Sequence, residues 1–388
     1  MSSIPEELYH EILLRLPVKS LLICKSVCRN WYALISTSDF VKTHTAIQDE
    51  KPILMLELEG PVWNCESSIV YSIGYDSLAS TSIVENDAID GIEMDYPFKS
   101  LAYRIVRLLG SSNGLVCMWL FDKVGDRCCI CLWNPATREY KEIPPFSAIG
   151  SYCDVQLHAF GYDHKTDDYK LLIGVEAAES KDTTNIHVYT LASNSWKTGI
   201  PYRFPYDQRA GVSFNGDLHW VPLGDQENYV ILSLDISDEN FKEMQIPKEL
   251  SRNAANQYLF LGVLEGCLCL LVSLDVDGQF EVRKMLNYGV RETWTKCYVI
   301  AHDSLISKQF CFRIVWSFEN GEIIFLNGDG LVLYDLKNGS ATELNIPTCV
   351  KRVDGLVFLE FVDTKNHFES LVSLISGSYI RWEKMKNQ

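Results

Sequence analysis

The sequence lacks a long apolar run, a secretory start and cysteines at paired spacing. The stretch most like a membrane span, residues 258–272, is too short to cross a bilayer. It has Glu265-Gly266 at its centre, so it predicts two buried strands joined by a turn. The acidic start MSSIPEELYHE lacks the basic and apolar segments of a secretory signal. We therefore expect the 13 cysteines to be reduced, in the cytoplasm or the nucleus.

Basic residues are scarce relative to acidic ones. The chain has 35 Lys and Arg against 51 Asp and Glu, a net charge of −16 over 388 residues. Residues 1–47 carry five basic and four acidic side chains, so residues 48–388 hold 30 and 47, or about −17. An acidic body repels phosphate backbones, which disfavours nucleic acid as a partner and favours a basic protein. The length and this contrast predict two domains, residues 1–47 and 48–388.

Motifs for catalysis and metal binding are also missing. The sequence has no Walker loop, nucleophile elbow or dinucleotide fingerprint. Cys128, Cys129 and Cys131 cluster, but the second pair that a zinc site needs is missing. Segments 275–278 (DVDG) and 327–330 (NGDG) lack the later ligands and closing glutamate of a calcium loop.

One cluster of titratable residues could support acid–base chemistry. Asp163, His164, Asp167 and Asp168 fall within nine residues, YDHKTDDYK. Because strand-like segments flank them, solvated turn residues are the better interpretation. We therefore predict no catalytic residue, no metal and no cofactor, and thus a protein that is not an enzyme.

The body of the chain repeats one pattern, strand, tight turn and strand. The five copies are residues 108–119, 160–175, 212–221, 261–272 and 315–326. Three of them contain Asn-Gly, at Asn113, Asn215 and Asn320, which predicts type I′ turns because both central residues need positive φ. After each copy come an apolar pair, a polar loop and an aromatic residue. The aromatics begin at Tyr140 and recur roughly every fifty residues, a period typical of four-stranded kelch-type propeller blades.

The pattern predicts a multidomain chain, with helices followed by an all-β propeller of about six blades. Segments 53–60 and 68–75 supply half a blade, and 356–361 with 370–375 supply the other half, so pairing them would close the ring. Seven blades is the alternative, because residues 76–105 have no assignment. Six aromatics are predicted to pack between blades: Trp133, Tyr189, Trp196, Trp220, Trp294 and Tyr334.

The first 36 residues predict two or three short helices with apolar stripes. One stripe holds Leu8, Ile12, Leu13 and Leu16, and Pro17 ends it. The second holds Leu21, Cys24, Val27, Cys28, Trp31, Leu34 and Ile35. These side chains could pack on the propeller or on the helices of another protein.

The N-terminal segment resembles an F-box, through Leu-Pro-Val-Lys-Ser-Leu at 16–21 and Val-Cys-Arg-Asn-Trp at 27–31. The body resembles the plant F-box-associated, kelch-like family, through GSSNGLVC, WNPATREYKEIPP, FGYDHKTDDYKLL and VYTLASNSWK. Within that family it is most similar to S-locus F-box and S-locus F-box-like proteins. The resemblance therefore implies a three-helix F-box followed by a β-propeller.

The resemblance also implies a function. F-box helices bind a Skp-type adaptor, which links to a cullin ligase, while the other domain captures a protein substrate for ubiquitination and proteasomal degradation. The positions that would make or support the adaptor contact are Ile4, Pro5, Leu8, Ile12, Leu13, Leu16, Pro17, Val18, Leu21, Val27, Cys28, Trp31 and Ile35. Ile12 and Leu34 are the candidates for contacts within the chain instead.

The substrate surface is expected in loops at one mouth of the propeller. Three variable segments are candidates, 85–97, 176–185 and 225–229. Their candidate contacts are Glu179, Asp182, Asp225, Glu227 and Tyr229. A true S-locus member would recognise a style ribonuclease in pollen self-incompatibility, and a paralogue would have another target.

Two other functional classes remain open at this point. The first is an F-box scaffold or carbohydrate-binding propeller that does not drive ubiquitination. The second is a propeller enzyme, which needs arginines, carboxylates and a tyrosine, or metal ligands, converging on the central channel.

Overall fold

The computed structural model combines an N-terminal helical domain with a β-propeller. It describes residues 5–47, 52–59, 68–79, 91–99, 103–122, 128–146, 155–177, 180–202, 211–221, 230–250, 257–274, 279–301, 313–327, 330–344 and 360–375. Within these ranges no helix is both long enough and apolar enough to cross a membrane.

The helical domain contains four helices, one more than predicted. They are α1 (Glu6–Leu14), α2 (Val18–Cys24), α3 (Arg29–Ile35) and α4 (Ser38–Ile47). Pro17 and Cys28 have extended backbones and begin α2 and α3. The second apolar stripe of the sequence is therefore divided between two helices. The fourth helix was missed because only Phe40, Val41 and His44 of its apolar face follow a helical period.

Six four-stranded antiparallel sheets form six blades, which confirms the predicted number. Blade 1 contains β1 (Ile53–Glu59), β2 (Ile69–Gly74), β3 (Ile92–Glu93) and β24 (Glu360–His367), with α5 (Tyr75–Ala79) after β2. Blade 2 contains β4 (Tyr103–Ser112), β5 (Leu115–Asp122), β6 (Cys128–Asn134) and β7 (Glu139–Glu142). Blade 3 contains β8 (Val155–Asp163), β9 (Asp168–Ala177), β10 (Ser180–Thr190) and β11 (Ser195–Tyr202).

The other three blades follow the same order. Blade 4 contains β12 (Val212–Phe214), β13 (Asp217–Trp220), β14 (Val230–Asp235) and β15 (Asn240–Gln245). Blade 5 contains β16 (Gln257–Leu264), β17 (Cys267–Leu274), β18 (Gln279–Met285) and β19 (Trp294–Ala301). Blade 6 contains β20 (Arg313–Ser317), β21 (Glu322–Asn327), β22 (Gly330–Asp335) and β23 (Ser340–Glu343).

Blade 1 closes the ring differently from the prediction. It takes three strands from the N-terminal side and only β24 from the C-terminal side, in the order β24-β1-β2-β3. The last of these three N-terminal strands, β3, comes from the unassigned region 76–105. Its two residues were too few to show an alternating pattern. Residues 370–375, predicted to be a strand, form none. They pack apolar side chains on the helical domain instead.

The hairpin turns agree with the prediction at two of the three Asn-Gly pairs. Asn113-Gly114 and Asn215-Gly216 have positive φ at both residues, as a type I′ turn requires. At Asn320-Gly321 only the glycine has positive φ. The Asn320 side chain there accepts a hydrogen bond from the Glu322 N–H and builds a different turn.

Each pair of neighbouring blades encloses one apolar cluster. Trp133 packs between blades 1 and 2, Trp220 between blades 3 and 4, and Trp294 between blades 4 and 5. Tyr189 and the half-buried Trp196 lie between blades 2 and 3, and Tyr334 lies between blades 5 and 6. These positions match the predicted packing role, because each alternating strand buries its apolar side against the next blade.

Antiparallel pairing gives the propeller two unlike mouths. In blades 2 to 6 the first and second strands join at one end, and the third and fourth strands join at that same end. In blade 1, β24 ends and β1 begins at this end. We call this end the turn mouth. The second strands end and the third strands begin at the opposite end, the loop mouth.

Candidate partner-binding surfaces

The helical domain leaves large apolar side chains in solvent. Leu8 and Ile12 on α1 are 56% and 57% exposed, and Val27, just before α3, is 61% exposed. Ile23 and Tyr32 are also exposed. We call these five side chains the exposed helical face. Full burial of such a side chain is worth about 1.5–3 kcal/mol, so a partner that covers the exposed part of each gains a little over half of that amount.

Other side chains of the same helices are buried within the chain. Leu13, Val18, Leu21 and Ile35 belong to one cluster with Leu109, Trp119, Tyr169 and Leu371 of the propeller region. Tyr9 and Trp31 are half-buried, with ring centroids 6.3 Å apart, and connect α1 to α3. The helical domain is therefore seated on the propeller by one side and open on another.

The structure divides the predicted adaptor positions into three groups. Six are exposed: Pro5, Leu8, Ile12, Pro17, Val27 and Cys28. Leu16 and Trp31 are half-buried, whereas Leu13, Val18, Leu21 and Ile35 are buried and can support a contact but not touch a partner. Ile4 lies outside the described residues.

Burial also resolves the two residues proposed for contacts within the chain. Leu34 packs against the cluster that joins the domains, whereas Ile12 points into solvent. The sequence prediction did not include Ile23 and Tyr32. A helical stripe shows which residues share a face, but not which face the propeller covers.

The helical domain sits at the turn mouth, over blades 2 and 3. Lys42 of α4 forms an ion pair with Asp167, in the β8–β9 turn. A cavity of about 290 Å³ lies beside this pair. Its lining residues are Val41, Lys42, Thr45, Ala46, Asn113, Tyr162, His164, Tyr169 and Val372. The loop mouth is therefore on the opposite side of the molecule from the helices.

Only the strands that flank the candidate substrate segments can be placed. β13 with β14, and β9 with β10, end or begin at the loop mouth. β2 ends and β3 begins at the turn mouth, and residues 85–90 of the candidate segment 85–97 lie outside the described residues. Glu179, Asp225, Glu227 and Tyr229 lie outside the described residues, and only the backbone of Asp182, in β10, is described.

Among the residues that the structure describes, the central channel does not bring together the groups that a propeller enzyme needs. A cavity of about 460 Å³ is lined by the first strands of the blades, with His158, Arg313 and Lys365 as its titratable side chains. The described lining residues include no carboxylate and no tyrosine. The part of the chain that the structure describes also holds no group of three or more His, Cys, Asp or Glu able to hold a metal ion.

The carboxylates that suggested acid–base chemistry are structural. The Asp163 side chain accepts hydrogen bonds from the backbone N–H groups of Lys165 and Thr166 and from the Ser237 hydroxyl. Burial alone would raise the pKa of Asp163, but hydrogen bonds from Ser237 and Thr166 outweigh it and hold that pKa well below its usual value. Asp168 accepts hydrogen bonds from the Ala192 N–H.

A buried lysine joins this group to the next blade. Lys170 Nζ lies 3.1 Å from an Asp163 oxygen and 2.9 Å from a Glu239 oxygen, and it donates to the Ile236 carbonyl at 2.9 Å. These partners connect blade 3 to blade 4. The predicted interpretation of residues 162–170 as a turn is therefore correct, although the turn is packed against a neighbour rather than solvated.

A second polar network was not visible in the sequence. His219 Nε2 lies 2.7 Å from the Tyr288 hydroxyl, which donates to Asp217 at 2.9 Å, and Ser233 donates to the same oxygen at 3.1 Å. This serine, histidine and aspartate do not form a nucleophilic triad. The histidine contacts the tyrosine rather than the serine, and both His219 and Ser233 are buried. The network connects blade 4 to blade 5.

The cysteine cluster at the edge of blade 2 is divided by burial. Cys128 is exposed, Cys129 is half-buried and Cys131 is buried. Burial raises the pKa of the Cys129 thiol to about 11 and raises the pKa of the Cys131 thiol well above its usual value. These two thiols are therefore protonated and behave as small apolar side chains.

Comparisons with known proteins agree with both halves of the structure. The model of the F-box domain matches residues 1–43, and that of the F-box associated beta propeller domain matches residues 66–375. The F-box protein CPR1 of Arabidopsis thaliana is 28% identical over 380 residues, covering 90% of this chain and 86% of that protein. The F-box/kelch-repeat protein At3g23880 of the same plant is 28% identical over 350 residues, covering 87% of this chain and 89% of that protein.

Proposed function

The chain belongs to the F-box proteins that carry an F-box associated β-propeller domain, and we propose that it is the substrate-recognition subunit of a Skp–cullin–F-box ubiquitin ligase. In this role it is a non-catalytic receptor. It holds a target near a ubiquitin-charged enzyme and thereby raises the effective concentration of the target's lysines.

The exposed helical face is the observation that carries the proposal. Leu8, Ile12 and Val27 are more than half exposed, although neighbouring residues of the same helices are buried against the propeller. Large apolar side chains on short helices suit a partner that presents its own helices. A Skp-type adaptor is such a partner, and it would complete the apolar interior that this domain leaves open.

Co-purification with a Skp-type adaptor tests this assignment. The substitutions Ile12→Asp plus Val27→Asp place charges on the exposed helical face, and we expect them to abolish co-purification while the propeller stays folded. Ile92→Asp is the matched control, because Ile92 is 72% exposed on β3, away from the helices. Adaptor binding that survives the double substitution would remove the main support for the receptor role.

We propose that the target docks at the loop mouth and is a basic protein of the cytoplasm or nucleus. The opposite mouth is covered in part by the helical domain, and residues 48–388 carry a net charge of about −17. A style ribonuclease, recognised in pollen self-incompatibility, is the target that the S-locus resemblance favours. The charge supports any basic target equally well.

Proximity labelling in the source tissue would identify the target. The wild-type chain is compared with the Ile12→Asp plus Val27→Asp variant, which keeps the propeller. A true substrate should accumulate with the variant, since it is captured but not degraded. If no labelled protein accumulates, the F-box scaffold or carbohydrate-binding interpretation gains support.

A further inference from the structure

Residues 368–375 form a layer between the helical domain and the propeller. They leave β24 at the turn mouth and join none of the sheets. Leu371, Val372 and Leu374 are buried in the cluster that also contains Leu13 and Val41 of the helical domain. We call this segment the strap.

The propeller holds the strap by its backbone. Asn134, which is fully buried at the end of β6, donates from its side-chain amide to the Ser370 carbonyl at 3.1 Å and to the Val372 carbonyl at 2.7 Å. The Ser370 hydroxyl donates to the Asn113 carbonyl at 2.9 Å. The strap is therefore fixed to two turns of blade 2.

The turn that contains Asn134 differs in one residue from three similar turns of the propeller. Four turns share one design, in which a side-chain oxygen accepts hydrogen bonds from two backbone N–H groups further along the chain. The residue is aspartate in three of them, at Asp163, Asp235 and Asp335. Only Asn134 can also donate, and it is the one that faces the carbonyls of the strap.

Glu139 and Gly114 complete the attachment on the propeller side. Glu139 accepts hydrogen bonds from the Ser373 hydroxyl at 3.0 Å and from the Ile375 N–H at 3.2 Å. A Cβ atom on Gly114 would lie 1.9 Å from the Ser370 oxygen, so the strap passes where only glycine leaves room.

The helical domain holds the other side of the strap. Lys19 of α2 forms an ion pair with Glu369 at 3.2 Å. Burial lowers the pKa of Lys25, at the end of α2, and the charge of Glu139 opposes that shift. The strap thus has polar attachments to both domains and apolar contacts between them.

We propose that the strap is a positioning element, which fixes the F-box relative to the propeller so that a target at the loop mouth faces the ligase at one set distance. Asn134 and Glu139 are its positioning residues. The inference rests on the proposed function, because a set distance matters only when ubiquitin is transferred across it. A rigid connection between the F-box and the propeller raises the effective concentration of the target's lysines at the ubiquitin-charged enzyme, and a flexible connection lowers it.

Two substitutions in the full-length chain test the attachment. Asn134→Asp keeps the oxygen that builds the turn and replaces the donor with a carboxylate facing two carbonyls, and Glu139→Ala removes the second attachment independently. Asp335→Asn, the reverse exchange in a turn of blade 6, is the matched control. The readout is carbodiimide cross-linking, which joins only lysine and carboxylate side chains in contact.

We expect both test variants to lower the Lys42–Asp167 cross-link, which joins the helical domain to the propeller, roughly tenfold, since each variant loses two hydrogen bonds. The Lys165–Asp238 cross-link within the propeller, at 2.9 Å, should be unchanged, and Asp335→Asn should behave as wild type. Retention of the Lys42–Asp167 cross-link in both test variants would overturn the proposal.

A functional readout separates positioning from simple stabilisation. In a ligase reconstituted with a Skp-type adaptor and a cullin, the wild-type chain should self-ubiquitinate at a narrow set of propeller lysines. Asn134→Asp should spread modification over more lysines without a change in adaptor affinity. An unchanged set of sites, despite lost cross-links, would refute the positioning role. A wild-type chain that binds no adaptor would instead refute the proposed function, while the cross-links still decide whether the strap joins the two domains.

Discussion

Leu8 and Leu13 lie on the same helix, and the same substitution at each should have opposite consequences. Leu8 is 56% exposed and Leu13 is 1% exposed. Leu13→Ala leaves a cavity in the cluster that joins the two domains, which costs about 2–5 kcal/mol of stability. Leu8→Ala removes a side chain that is mostly in solvent, so its effect on stability should stay within about 0.5 kcal/mol.

The cost of Leu8→Ala should appear in adaptor binding instead. Covering the exposed 56% of a leucine side chain is worth about 0.8–1.7 kcal/mol, from about 1.5–3 kcal/mol for a whole side chain. The dissociation constant should therefore rise roughly 4- to 17-fold. Leu13→Ala should change it less than Leu8→Ala once the fraction of folded helical domain is taken into account.

Hydrogen–deuterium exchange on peptides from residues 5–47 measures the stability of the helical domain, and titration calorimetry with the adaptor measures the affinity. The matched chemistry removes any difference in the atoms deleted. The reasoning would be refuted if Leu8→Ala accelerated exchange as much as Leu13→Ala, or if it left the affinity unchanged.

Three further predictions concern the propeller. Lys170→Met strands Asp163 among buried groups and should lower the unfolding free energy by about 3–5 kcal/mol; adding Asp163→Asn should cost less than the sum of the two changes in a denaturant titration. Burial lowers the pKa of His367 to about 4, so the unfolded chain binds a proton between pH 6.5 and 4 that the folded chain does not. Stability should therefore fall by roughly 3 kcal/mol as the pH drops through that window. His367→Gln should reduce this slope, and an equal slope would refute the assignment. Gly114→Ala and Gly216→Ala both force alanine to a φ of +82°, but only Gly114 faces the strap, so its substitution should lower the thermal midpoint more; equal midpoints would contradict the close approach.

Local patterns predicted the repeating part of the molecule well. The hairpin turns at Asn113-Gly114 and Asn215-Gly216 need positive φ at two residues. The Asn-Gly pair alone indicates this requirement. Short apolar runs such as those of β5 and β21 likewise can be recognised without knowledge of distant partners. The sequence therefore shows five such units, and the sixth blade was predicted from the two half-blades at 53–75 and 356–375.

Features that depend on distant partners were not predictable in this way. The apolar side chains at 371, 372 and 374 suggested a strand, because a short apolar run does not reveal whether a sheet or a helical domain covers it. The sequence also did not show that Leu8 is exposed whereas Leu13 is buried, since both belong to one apolar stripe of α1. The sequence does show that Asn134 stands where three similar turns have aspartate. The reason for the exchange depends on the strap, which the sequence did not predict.

The position of β24 in the sheet of blade 1 constrains the order in which the protein can fold during its synthesis. Residues 360–367 supply the innermost strand of blade 1. Residues 368–375, the strap, supply part of the surface on which the helical domain packs. Synthesis must therefore reach residue 375 before the N-terminal helices can take their final position on the propeller. A product cut short before residue 360 would leave the edge of β1 unpaired and the helical domain without the strap.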